Sequence, residues 1–165
     1  MGLVLKKIVS GGQTGVDRGA LDAAIAQATP HGGWCPRGRL AEDGTIPAGY
    51  RLDETESAEY PQRTERNVLD ADATLILCRG NPVGGTELTR QLALAHGKPC
   101  LVVDLSRTAD SSAIRRWLAA HRVGVLNVAG PRESQWPGAA AAARAVVAEL
   151  LSPRAAVNRP SAPRR

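Results

Sequence analysis

Residues 73–79, ATLILCR, are apolar almost from end to end. A run that short, with no alternation, is what a strand covered on both faces looks like. Similar runs recur along the chain, each separated from the next by helical spacing. LVLKKIVS (3–10) reads as the first strand, HGGW (31–34) as a very short second, 73–79 as the third, PCLVVDL (99–105) as a buried fourth and VGVLNVAG (123–130) as the fifth. Between them, residues 14–28 place Val16, Ala20, Leu21, Ala24, Ile25 and Ala28 on one helical face, with Thr14 and Asp17 spaced as a capping box. Further helices are expected over 62–71, over 84–97 with Leu88, Leu92 and Ala95 inward and Gly97 as the stop, over 111–121, and over the Ala-rich stretch 138–151. This alternation predicts an α/β fold, a mostly parallel five-stranded sheet between two helical layers. The expected strand order is 2-1-3-4-5, which puts the topological switch, and hence the ligand crevice, between the first and third strands.

Two glycine loops fall at that switch. The first strand runs into Gly11-Gly12-Gln13-Thr14-Gly15, and the third into RGNPVGGTE (79–87), with Gly84, Gly85 and Thr86 opening a helix. Helix N-termini carry unpaired N–H groups and a partial positive charge, and glycine lets an anion approach them closely. Neither loop is a GxGxxG or P-loop fingerprint. After the fifth strand, Arg132, Glu133 and Ser134 form a third candidate element. Arg132 has the chemistry of an anion partner, although the expected order leaves it two strands away, and a structural salt bridge is the competing reading. In the loop stretch 33–50, Trp34, Arg37 and Arg39 are placed to flank a flat anionic ring by stacking and charge. Arg63 and Arg66 read as helix-surface charges. No nucleophile–base pair is evident; Glu87 and Asp17 are the acids an enzyme would use.

Charge does not point to nucleic acid. The net charge of +5 includes four arginines in the tail (154, 159, 164 and 165), which leaves +1 for the body. Residues 1–151 read as one ligand-binding domain and 152–165 as a disordered basic tail with little to bury. The three cysteines, Cys35, Cys78 and Cys100, form neither a disulfide framework nor a metal motif, and Cys35 is expected to be the most exposed. With no signal peptide or membrane-length apolar run, a cytoplasmic protein is expected.

Taken together, GGQTGVDRGALD, GWCPRGRLAEDGTIP, RTERNVLDADATLIL, GGTELT, KPCLVVD and NVAGPRES resemble the molybdenum cofactor carrier family of the SLOG superfamily of Rossmann-like nucleotide-ligand proteins. The resemblance spans about residues 5–150. It implies a Rossmann-like fold, self-association, and binding of molybdenum cofactor (molybdopterin, an anionic pterin phosphate) without catalysis, for protection and transfer to molybdoenzymes; exposed apolar helix faces suit a homodimer or homotetramer. GGTE also resembles the second half of the PGGxGTxxE motif of SLOG nucleotide hydrolases. There the acid lies three residues after the threonine. Here Glu87 follows Thr86 directly and Arg90 stands near the usual acid's place, so the catalytic spacing is broken. Three functions stay open at this stage: a carrier, an enzyme acting on a nucleotide or nucleotide-sugar, and a nucleotide-ligand sensor or DNA-associated module.

Overall fold

The structure, a computed structural model, describes residues 4–153. The expectation for the basic tail therefore falls, from Arg154 onward, outside the described residues. In chain order the elements are β1 (Lys7–Val9), α1 (Val16–Ala26), β2 (His31–Gly32), β3 (Trp34–Cys35), β4 (Leu40–Ala41), β5 (Gly44–Thr45), β6 (Asp53–Glu54), α2 (Tyr60–Asp70), β7 (Ala73–Cys78), α3 (Gly84–Ala95), β8 (Cys100–Asp104), α4 (Ser111–Ala120), β9 (Val125–Ala129) and α5 (Ala139–Leu151). A five-stranded sheet, parallel throughout, runs in the order β2-β1-β9-β7-β8.

That order corrects the expected one. The fifth main strand does not lie at the edge; it inserts between the first and third, with Ile8 opposite Leu126 on one side and Leu75 opposite Val128 on the other. Leu126, Asn127 and Val128 of β9 are buried, whereas β8, expected to be buried, is pushed to the edge and is only half covered. Apolar content made the two strands look alike. What distinguishes β9 is its buried Asn127, whose amide donates to the Thr74 hydroxyl of β7 at 3.2 Å.

Alternation along β7 divides the two layers. Leu75 and Leu77 join a core with Val16, Ala20 and Ala24 of α1, Ile114 and Leu118 of α4, and Val146, Val147 and Leu150 of α5. Ile76, buried but outside that cluster, belongs to the opposite face, where α2 and α3 pack together. Gly19 lets α1 approach α5, since a Cβ there would sit 2.2 Å from the Ala140 carbonyl oxygen. Ile25 and Ala28 turn outward rather than into the core, and α3 buries Thr86, Thr89 and Ala93 instead of Leu88, Leu92 and Ala95. Gly97, with φ +64°, ends α3 as expected.

The irregular segment 35–62 holds two small ribbons, β3 with β6 and β4 with β5. Arg39 organises it. Its guanidinium donates to the carbonyls of Ile46, Pro47, Tyr50 and Leu52, at 3.2, 2.9, 2.8 and 3.4 Å. That side chain is therefore consumed by the loop. Cys35 is fully buried, contrary to expectation; burial pushes its thiol up, and Cys100 on the edge strand is the more exposed. Among the described residues, no helix is long and apolar enough to cross a membrane.

Candidate functional site

Because β9 is central, the loops after β1, β9 and β7 emerge side by side, one strand spacing of about 4.8 Å apart. They enclose a cleft of about 410 Å³ at the carboxyl ends of the strands. One wall comes from Gly11, Gln13 and Asp17, another from Gly85, Thr86 and Thr89 of α3, and a third from Gly130, Arg132 and Gln135. The fourth is the face of α2 bearing Tyr60, Arg63, Thr64 and Asn67.

The charges in this cleft are mostly positive. The Arg63 and Arg132 guanidiniums each lie 5.0 Å from the centre of the Tyr60 ring, so one aromatic side chain carries two cations. Arg63 is only 8% exposed and donates to the Gly11 carbonyl at 2.7 Å. Burial pulls its pKa down, and Asp17 opposes that pull. Neither arginine is in an ion pair among the described residues. Asp17, 7% exposed, is the cleft's acid. Burial raises its carboxyl pKa above the ordinary range, with Arg63 the chief counterweight, followed by the Gln13 N–H that its Oδ2 accepts at 3.1 Å. Gly11 separates the two charged groups; a Cβ there would lie 2.4 Å from an Arg63 nitrogen and 3.0 Å from Asp17 Oδ2.

The two helix N-termini differ. At α1 the cap is Gly15, not Thr14, and the Val16 N–H is taken by the Pro131 carbonyl at 3.2 Å. At α3 the cap is Val83, and Thr86 lies inside the first turn. The N–H groups of Thr86 and Glu87 return to the Val83 carbonyl, which leaves those of Gly84 and Gly85 with no partner among the described residues. Nothing lies within 4 Å of a Cβ built on either glycine. The α3 end therefore faces open space, and the α1 end is closed by the protein itself.

Of the residues singled out from sequence, Gly11, Gln13, Gly85, Thr86, Arg132 and Asp17 line the cleft. The others have different surroundings. Gly12 faces away, toward Leu52 and Ile46. Gly15 lies under the 131–133 backbone, where a Cβ would meet the Pro131 oxygen at 2.4 Å. Thr14 and Ser134 bind the Glu42 carboxylate, which also accepts the Ser134 N–H at 3.2 Å. Glu133 accepts from the N–H groups of Gly138 and Ala140 at the start of α5. Gly84 opens α3 beside the lining residues. Trp34 donates to Asp70 at 2.6 Å beneath Arg66, and Arg37 is exposed outside the cleft. Glu87 pairs with Arg90 on the helix surface. Arg63, read as a surface charge, is the main residue the sequence reading missed. The available signal was Tyr60, Arg63, Thr64 and Asn67 recurring at helical spacing on one face.

The model of the circularly permutated YpsA SLOG family matches residues 8–151. The chain belongs to this family. A circular permutation changes which strand comes last without changing the sheet, and in this SLOG chain the last strand is central. A solved structure, the crystal structure of "Putative molybdenum carrier protein" from Syntrophus aciditrophicus SB, is 44% identical to this SLOG protein. The match covers 92% of this chain and 97% of that one, with a TM-score of 0.87. No curated protein matches the chain.

Proposed function

We propose that this SLOG protein is a non-catalytic carrier that binds, protects and delivers molybdenum cofactor, taking up the anionic pterin phosphate as cargo in the cytoplasm. One observation carries the reading: two cleft arginines without acidic partners share Tyr60 beside an open helix N-terminus. A phosphate suits the Gly84 and Gly85 N–H groups with Arg132, because charge-assisted bonds to an anion are the strong ones. The cleft volume of about 410 Å³ lies in the range for small-molecule sites. The name of the Syntrophus aciditrophicus relative supports a molybdenum-related ligand. We further propose that residues 1–151 act as one ligand-binding domain and that the protein works as a homodimer or homotetramer. Anaerobic incubation with cofactor released from a molybdoenzyme tests the reading. Co-elution that is lost in Arg132→Ala supports it, and absence of co-elution from the wild type refutes it.

A hydrolase acting on a nucleotide is the second reading, favoured by the buried acid Asp17 in the cleft wall. The Glu87–Arg90 pair weighs against Glu87 as its acid. Base release from nucleoside monophosphates, abolished by Asp17→Asn, would establish this reading; no release under saturating substrate rejects it.

A further inference from the structure

One lining group is out of place in a cleft for an anion. The Asp17 carboxylate repels a phosphate, yet it is 7% exposed and has no contacting cation. Its Oδ2 accepts the Gln13 N–H, and the nearby Ser10 hydroxyl lowers its pKa only weakly. The hydroxyl beside it, Ser10, gives its proton to the Val128 carbonyl at 2.8 Å. The part of a ligand that meets Asp17 is therefore expected to supply a hydrogen-bond donor, such as a ring N–H.

A second observation comes from Gln13, which lines the same cleft and is 5% exposed. Its Oε1 accepts the N–H groups of Thr14 at 3.1 Å and Glu42 at 2.9 Å, which fixes the orientation of the amide. The remaining donor, Nε2, is buried with no partner among the described residues. An unmet buried donor is costly, and a ligand carbonyl brought within its reach would satisfy it.

We propose that Asp17 and Gln13 read the lactam edge of a flat heterocycle, the carboxylate accepting its ring N–H and the Gln13 amide donating to the adjacent ring carbonyl. This rests on the ligand-binding reading of the cleft and adds the class of ring. It also sets direction, with the heterocycle toward α1 and the phosphate toward α3 and Arg132. Oxo-pterins and guanine share that edge. Adenine presents the reverse, a ring acceptor beside an amine donor.

Calorimetric titration with guanosine monophosphate, adenosine monophosphate and hydroxymethylpterin phosphate tests the proposal. Wild-type protein is expected to bind the guanine nucleotide at least about tenfold more tightly than the adenine one. In Asp17→Asn, the asparagine oxygen keeps the Gln13 N–H and its NH₂ faces the ligand, so the preference falls to parity or inverts. In Gln13→Glu, Thr14 and Glu42 keep their acceptor while the donor becomes an acceptor, and guanine binding weakens. The tighter of hydroxymethylpterin phosphate and guanosine monophosphate identifies the source of the edge. Equal guanine and adenine affinities, with binding still dependent on Arg132, overturn the lactam assignment and leave the anion cleft standing. Failure of all three to bind overturns both. Should a variant not fold, the wild-type ratios decide alone.

Discussion

Replacing Arg63 by methionine keeps most of the side-chain volume and removes the charge. It leaves the Gly11 carbonyl without its 2.7 Å donor and the Asp17 carboxylate without its chief cationic counterweight. Both residues are more than nine-tenths buried, so surface screening does not soften the loss. Arg63 and Asp17 are not in direct contact, so the loss lies toward the lower end of the about 3–5 kcal/mol that breaking a buried ion pair costs. Native domains hold only about 5–15 kcal/mol in total. At about 2–4 °C per kcal/mol for a chain this long, Tm should fall by about 10 °C. The cost should also depend on pH, with a fixed sign. Asp17 is raised above its ordinary 3.8, so the folded state holds that proton more tightly than the unfolded state does. Such a group contributes stability fully below the unfolded pKa and loses it as pH rises through the folded pKa. Without Arg63 the folded pKa rises further, so the penalty of Arg63→Met is large at pH 7 and small near pH 4. Urea unfolding of wild type, Arg63→Met, Asp17→Asn and the double variant at both pH values measures this. The double variant should recover at least about 1 kcal/mol relative to additivity at pH 7. A penalty that is equal at the two pH values, together with strict additivity, would refute the coupling of Arg63 to Asp17.

Four other substitutions probe the cleft's frame. Gly15→Ala forces an L side chain to φ +80° and into the Pro131 oxygen, so it should cost at least about 1–3 kcal/mol and displace the loop bearing Arg132; Gly85→Ala, with nothing within 4 Å, should fold with wild-type stability or better in the same melting assay. Arg132→Ala should weaken binding of a phosphate ligand about 10–100-fold and flatten its salt dependence, read by titration at two ionic strengths. Glu42 is held below the ordinary carboxylate range by the Ser134 and Thr14 hydroxyls, so its restraint on residues 131–135 is present above its unfolded pKa and lost as pH falls through the folded one. The protection factor of the Ser134 amide, taken relative to its intrinsic exchange rate at each pH, should fall on acidification, and Glu42→Gln should show lower protection already at pH 7.

The strands and helices were legible because burial on both faces leaves uninterrupted apolar runs such as 73–79. Their order was not. Leu, Ile and Val report coverage but not which neighbour supplies it, so the central β9 and the edge strand β8 read alike. That error mattered for the site, because it placed Arg132 too far from the two glycine loops. Gly11, Gln13, Gly85 and Thr86 were found because glycine at a strand-to-helix turn has a local cause. Arg63 was missed because a polar helical face looks the same in sequence whether it meets water or a cleft. Trp34, Arg37 and Arg39 were assigned to the site by residue type alone, and tertiary contacts place all three elsewhere.

Native mass spectrometry of protein purified without oxygen tests the central claim most directly, since it reports ligand mass and subunit count together. The account predicts a pterin phosphate or its molybdenum-bearing form on each subunit of a small homo-oligomer, absent from Arg132→Ala. Bare subunit masses for the wild type, before and after anaerobic exposure to released cofactor, would contradict it.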